Sequence, residues 1–302
     1  MKVGGRVAIG SAVVTAAAMT GMAVAAVGAA EPVYNYVALG DSYTAATGFD
    51  DVPDGSYAPP GCFQAHTDYP HQIAGLLGGE HRLGSFADAS CGGATITAFT
   101  NPQHTIDGVN APQFSRIDGS TNLVTIGIGG NDVGLEALVE ECARDGLTNR
   151  SCMDAHVRDG VDDISASIAR VEPKLEAVIR DVRARAANDV RILIVDYLEA
   201  MPDSGAGCYP EVPILPADAA WFAGTYRQLD AALATAAANQ SAELVDTYAP
   251  TLGHNVCSNA TTRYVEFLTV VSSNPPFSLA APVHPNIGGA NAQTRLVAAA
   301  IG

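Results

Sequence analysis

The sequence predicts an α/β fold in which helices cover both faces of a parallel sheet. Three observations carry that expectation: short apolar runs ending at glycines, intervening segments whose apolar residues recur at helical spacing, and the alternation of the two along the chain. With 302 residues, 48% of them hydrophobic, the chain has enough apolar material for one large core.

Tyr34 to Leu39 alternates polar and apolar residues as a strand and runs into Gly40-Asp41-Ser42, where the chain must turn. Asp50 to Gln64, rich in Pro, Gly and Asp, is a loop, and Tyr69 to Leu77 is a helix stopped by Gly78-Gly79. Arg82 to Ala89 forms a second strand ending at Ser90-Cys91-Gly92-Gly93. Leu123 to Ile128 forms a third, broken by Gly129-Gly130, with a helix starting near Asp132. From Val157 to Ala187 the apolar spacing is helical, and Pro173 divides the stretch into two helices or begins the second. Val190 to Tyr197 is a strand, Ala217 to Ala238 a helix and Ala242 to Tyr248 a strand. Gly288-Gly289 precedes a closing helix that runs to about Ala300.

The first thirty residues read differently. Lys2 and Arg6 precede an apolar, alanine-rich run, and small residues at Val27-Gly28-Ala29-Ala30 lead to Glu31-Pro32. This is the layout of a secretory signal cleaved near Ala29 or Ala30, which leaves 31–302 as a single domain and places the mature protein outside the cell. A membrane anchor is the competing reading, since the run approaches the roughly 20 residues needed to span. The small residues and the cleavage-like end favour removal, with no stable membrane insertion afterwards.

The formal net charge of −16 excludes nucleic acid as a natural partner, because it repels phosphate backbones. Cys62, Cys91, Cys142, Cys152, Cys208 and Cys257 form an even set, which in an exported protein means three disulfides. Fifteen pairings are open, and sequential pairing asks least because each bridge then closes a local loop. A metal cluster fits poorly, since no Cys-x-x-Cys pair occurs and the histidines are scattered.

Ligands of parallel sheets bind beyond the carboxyl ends of the strands. Ser42, Gly93 and Asn131 each follow a strand, and His284-Pro285-Asn286 precedes the last helix, where a loop can reach the same rim. A hydroxyl, an imidazole, a glycine amide and a side-chain amide are the parts acyl transfer needs. Singly, each has a plainer use: Gly-Asp-Ser as a turn, Asn131-Asp132 as a helix cap, Gly92-Gly93 as relief of crowding, His284 as a surface turn. Their joint occurrence in order favours chemistry. Other chemistries lack their marks. There is no Gly-x-Ser-x-Gly elbow, no His-Glu-x-x-His, no phosphate loop and no Ser-x-x-Lys. Gly127 to Asp132 imitates a dinucleotide fingerprint but puts a carboxylate at the third glycine. Asp41 is expected to fix the turn by accepting backbone N–H bonds, and Trp221, Phe222 and Tyr226 to be core.

These blocks resemble those of the SGNH hydrolases, the GDSL-type esterases and lipases. Gly40-Asp41-Ser42-Tyr43 is similar to the nucleophile block, with Tyr for its Leu. Cys91-Gly92-Gly93, Gly129-Gly130-Asn131-Asp132 and Val283-His284-Pro285-Asn286 follow in family order. The cysteine spacing, with Val245-Asp246-Thr247-Tyr248 leading to His254 and Cys257, looks like the secreted bacterial lipase branch.

The resemblance implies a three-layer α/β/α sandwich with a flavodoxin-like parallel sheet and the pairings Cys62–Cys91, Cys142–Cys152 and Cys208–Cys257. It implies Ser42 as nucleophile and His284 as base, with an oxyanion hole from the N–H groups of Ser42 and Gly93 and the Asn131 amide. Hydrolysis of a small-molecule or lipid ester by a monomer without metal or organic cofactor follows. A phospholipase, or a secreted binding protein with a dead site, are the alternatives. One position departs from the pattern: the Asp three residues before the histidine is Ala281 here, so its backbone carbonyl is the expected partner of His284 Nδ1, with a distant Asp or Glu as the rival.

Overall fold

Five short apolar runs become the strands of one parallel sheet: Tyr34–Gly40 (β1), Leu83–Asp88 (β2), Leu123–Gly127 (β3), Arg191–Val195 (β4) and Glu243–Val245 (β5). The computed structural model describes Met1, Lys2, Gly4 and residues 31–45, 55–267 and 283–302. The chain divides into two units, Met1–Glu31 and Pro32–Gly302, and every element named here belongs to the second. The expected leader, apart from Met1, Lys2 and Gly4, lies outside the described residues, as do Asp50 to Asp54 of the expected loop. Among the described residues no helix is long and apolar enough to cross a membrane.

The strand order is β2-β1-β3-β4-β5, every neighbouring pair parallel. This is the flavodoxin-like order, with the chain reversing direction across the sheet at β1 and β3. The helices are Ser42–Ala45 (α1), Tyr69–Gly79 (α2), Gly130–Val133 (α3), Leu135–Leu147 (α4), Asp163–Ile168 (α5), Val171–Arg185 (α6), Pro216–Asn239 (α7) and Ile287–Ile301 (α8), with a further single turn at Met153–His156. Alternate strand residues feed two cores. Val37, Leu39, Val124, Ile126, Ile192 and Ile194 cluster with Leu175 and Ile179 of α6 and Phe222 and Leu233 of α7. Tyr36, Ala38, Leu123, Leu193 and Val195 cluster with Ile73 and Leu77 of α2 and Val297 and Ile301 of α8. Each of the Val, Leu, Ile and Phe side chains stabilises by about 1.5–3 kcal/mol when fully buried, so both faces hold the sheet in place.

The disulfides are Cys62–Cys91, Cys142–Cys152 and Cys208–Cys257. Three expectations need correction. The stretch from Val157 opens as a two-stranded ribbon, Val157–Arg158 paired with Val161–Asp162, and helix α5 begins only at Asp163. Asp159 and Gly160 both have positive φ, the two-residue turn such ribbons favour, and the Asp162 carboxylate then caps α5 by accepting the N–H groups of Ile164 and Ser165. Strand β5 stops at Val245 because Thr247 turns onto Asp196, its hydroxyl donating to the Asp196 carbonyl at 2.8 Å. Gly288 and Gly289 lie inside α8, not before it. Asn286 caps that helix, and a Cβ on Gly289 would stand 2.5 Å from the Tyr264 carbonyl.

The edge of β1 beyond β2 is closed by a side chain. Buried Gln113 accepts the Gly40 N–H and donates to the Gly40 carbonyl, both at 2.8 Å. Gln113→Leu keeps the bulk and strands the Gly40 N–H. Urea unfolding should show a loss of about 1–3 kcal/mol, whereas unchanged stability would mean the strand end is held without it.

Candidate active site

Strands β1 and β3 end side by side, and the loops that leave them border a cleft lined by Ser42, Asn131 and His284. Asp41 makes the last ladder bond, its N–H donating to the Gly127 carbonyl at 2.9 Å, and its Oδ1 accepts the Tyr43 N–H at 2.9 Å. The chain thereby turns into α1 with Ser42 at its start. Gly40 admits this close approach, for a Cβ there would lie 2.3 Å from Thr44 Oγ1 and 2.5 Å from the Gly127 carbonyl.

His284 arrives from the other end of the chain. Its Nε2 stands 2.6 Å from Ser42 Oγ, and the residue is 6% exposed. The segment carrying it pairs with 264–266: Glu266 N–H donates to the His284 carbonyl, Val283 N–H to the Glu266 carbonyl, and Val265 bridges Pro285. Buried Asn286 extends the clasp, its amide donating to Glu266 Oε1 and to the Arg263 carbonyl, both at 2.9 Å.

Asn131 lines the same cleft as Ser42 and His284, and its Nδ2 donates to the Ala94 carbonyl at 2.9 Å. Asp132 beside it accepts the Ile96 N–H at 2.9 Å, so the loop after β3 is tied to the loop after β2. Gly93 takes a left-handed conformation, φ 73°, one residue before Ala94; it is not among the residues that line the cleft. Ala281 lies outside the described residues.

Leu135, Glu136 and Tyr197 line the cleft without having been singled out from the sequence, and Tyr43, Gly130 and Val283 line it as neighbours of the expected site residues within their motifs. Tyr226, expected as core, is both: it is 3% exposed and also borders the cleft. Phe222 is core, and half-buried Trp221 packs against that core while donating its indole N–H to Asp162. Tyr197 follows β4 just as Ser42 follows β1, and the strand-end rule could have found it.

Outside the cleft, Asp68, His71 and Asp88 bring one ligand atom each within 4.8 Å of one another. Asp68 Oδ1 already caps α2 through the His71 N–H and lies 2.8 Å from His71 Nδ1. Among the described residues these three could hold a cation, but His71 Nδ1 is engaged with Asp68, and the group joins α2 to the end of β2.

Beneath the cleft runs a buried hydrogen-bond chain. Gly130 N–H donates to the Tyr197 phenol oxygen at 2.7 Å, and the Tyr197 O–H donates to Asp41 Oδ2 at 2.6 Å. Burial pushes the Asp41 carboxyl up to about 7, with the charges of Asp132 and Glu136 adding to the effect against the pull of these hydrogen bonds. Above its ordinary range and below about 7, folded Asp41 keeps a proton that the unfolded chain releases, so this group's contribution to stability falls as pH rises through that window. Asp41→Asn removes the titration. The melting-temperature difference, variant minus wild type, should shift in the variant's favour between about pH 5 and 8; a pH-independent difference would contradict the buried, proton-holding carboxyl.

Comparison with known proteins fits this geometry. The chain is 31% identical over 266 residues to lipase 2 of Streptomyces coelicolor, covering 86% of this chain and 83% of that one. It is 29% identical over 292 residues to an esterase of Streptomyces scabiei, covering 87% and 84%. The fold is similar to that of phospholipase A1 from Streptomyces albidoflavus, with a TM-score of 0.66 and 22% identity over 87% of this chain and 98% of that one. It is similar also to the extracellular lipase of Streptomyces rimosus, with a TM-score of 0.61 and 22% identity over 88% and 98%. Residues 38–292 match the GDSL-like lipase/acylhydrolase family, and the chain belongs to that family.

Proposed function

We propose that the protein is a secreted serine ester hydrolase in which Ser42 is the nucleophile and His284 the general base. The observation that carries this reading is the 2.6 Å contact of His284 Nε2 with Ser42 Oγ in a cleft shared with Asn131. Ser42 Oγ attacks the ester carbonyl carbon as its proton passes to His284 Nε2. The oxyanion is received by the N–H of Ser42 and by the second N–H of the Asn131 amide, the first being held by Ala94; the family resemblance adds the N–H of Gly93, which does not line the cleft. His284 then gives the proton to the departing alkoxide, leaving an acyl-serine. Water, losing a proton to the same imidazole, attacks that acyl carbon; the bond from the carbon to Ser42 Oγ breaks, the imidazolium returns the proton to Oγ, and the acid leaves.

The backbone carbonyl of Ala281 is our candidate for orienting Nδ1. A neutral acceptor stabilises an imidazolium less than a carboxylate does but still selects the tautomer. The substrate is a neutral acyl ester: Glu136 puts a carboxylate on the cleft wall, and no Lys or Arg lines the cleft among the described residues. Three disulfides and the likeness to an extracellular lipase support export after cleavage near Ala29 or Ala30. A panel of p-nitrophenyl esters of increasing length beside phosphatidylcholine separates esterase, lipase and phospholipase.

Ser42→Ala should abolish hydrolysis with the circular dichroism unchanged, and turnover by the folded variant would overturn the assignment. Asn131→Ala should lower kcat by about 10²–10³; a change confined to KM would make Asn131 a substrate contact.

A further inference from the structure

Val283, the residue before His284, has φ 61°, in the left-handed region that β-branched residues avoid. Such a conformation persists only where its surroundings enforce it. Both of its backbone polar groups are gripped: the N–H donates to the Glu266 carbonyl at 2.8 Å, and the carbonyl accepts the Tyr43 O–H at 2.8 Å. Tyr43 is the residue after Ser42. Its ring also lies against the imidazole of His284, centroids 5.3 Å apart and planes inclined by 43°. The ring is held from behind by Tyr197, edge-on at 4.9 Å, and its phenol oxygen is 3.4 Å from that of Tyr226. Burial holds the phenol well above its ordinary range, so it stays a donor at any working pH.

We propose that Tyr43 is a positioning residue that sets the His284 imidazole against Ser42 by holding the Val283 carbonyl and covering one face of the ring. The proposal rests on the reading of Ser42 and His284 given above. The physical advantage is directness. Nucleophile and clamp are consecutive residues, so any shift of the Ser42 turn carries the His284 segment with it. A leucine at position 43 could cover the ring but could not donate to the carbonyl.

The test is a double-mutant cycle on hydrolysis of p-nitrophenyl acetate, using Tyr43→Phe and His284→Ala singly and together. Tyr43→Phe keeps the ring and deletes only the donor. It should lower kcat about 10-fold with KM within about twofold, and Tyr43→Leu should lower kcat about 10²-fold, in line with misplacement of a reacting group. In the His284→Ala background Tyr43→Phe should have no further effect, since nothing is left to position. An equal loss in both backgrounds would make Tyr43 a packing residue and overturn the proposal, as would wild-type kcat in well-folded Tyr43→Phe. Wild-type turnover in His284→Ala alone would instead remove the base assignment beneath it, and the two failures are told apart by that single variant. If Tyr43→Leu does not fold, the Tyr43→Phe arm decides by itself.

Discussion

The contact between Ser42 and His284 joins residues 242 positions apart, and it exists only while two distant segments are fixed together. A single hydrogen bond of this kind is worth about 0.5–1.5 kcal/mol net, far too little to organise the chain. Its geometry must be imposed. The parallel sheet does this for Ser42, since β1 is flanked by β2 and β3 and ends where Asp41 pairs with Gly127. For His284 the task falls to local clasps, with Glu266 and Asn286 on one side and Tyr43 on the other.

The hydrogen-bond chain from Gly130 through Tyr197 to Asp41 has a matching role beneath the cleft. It links the ends of β1, β3 and β4, so the loops bearing Ser42 and Asn131 share one rigid support. Burying a carboxyl there is unfavourable unless it is hydrogen-bonded or protonated, and Asp41 is raised towards neutrality by that burial. The fold thus accepts an energetic penalty at the point where positional accuracy is needed, and the two apolar cores on either face of the sheet offset it.

Much of this was legible in the sequence because the signals are local. Leu123, Val124, Ile126 and Ile128 make an apolar run that stops at two glycines, so strand and turn are read together. The rule that ligands bind past strand ends points to Ser42 and Asn131, which line the cleft, and to Gly93, which does not. Local signals can also compete. Val157, Val161 and Ile164 imitate a helical stripe, which outweighed the Asp159-Gly160 turn, and Val161 is in fact 64% exposed. Other features are non-local and had no sequence mark. The hold of Tyr43 on Val283 depends on where the chain returns after more than two hundred residues, and the grip of Asn286 on Glu266 depends on the same return.

The central claim is that Ser42 Oγ is the group activated by His284. Incubation with a fluorophosphonate followed by peptide mass spectrometry tests it most directly, because the probe phosphonylates an activated serine and marks its position. The account predicts one adduct, on Ser42, forming at least about 10²-fold more slowly in His284→Ala, within the range a positioned base contributes. An adduct on another residue, or labelling of Ser42 at the wild-type rate without the imidazole, would contradict it.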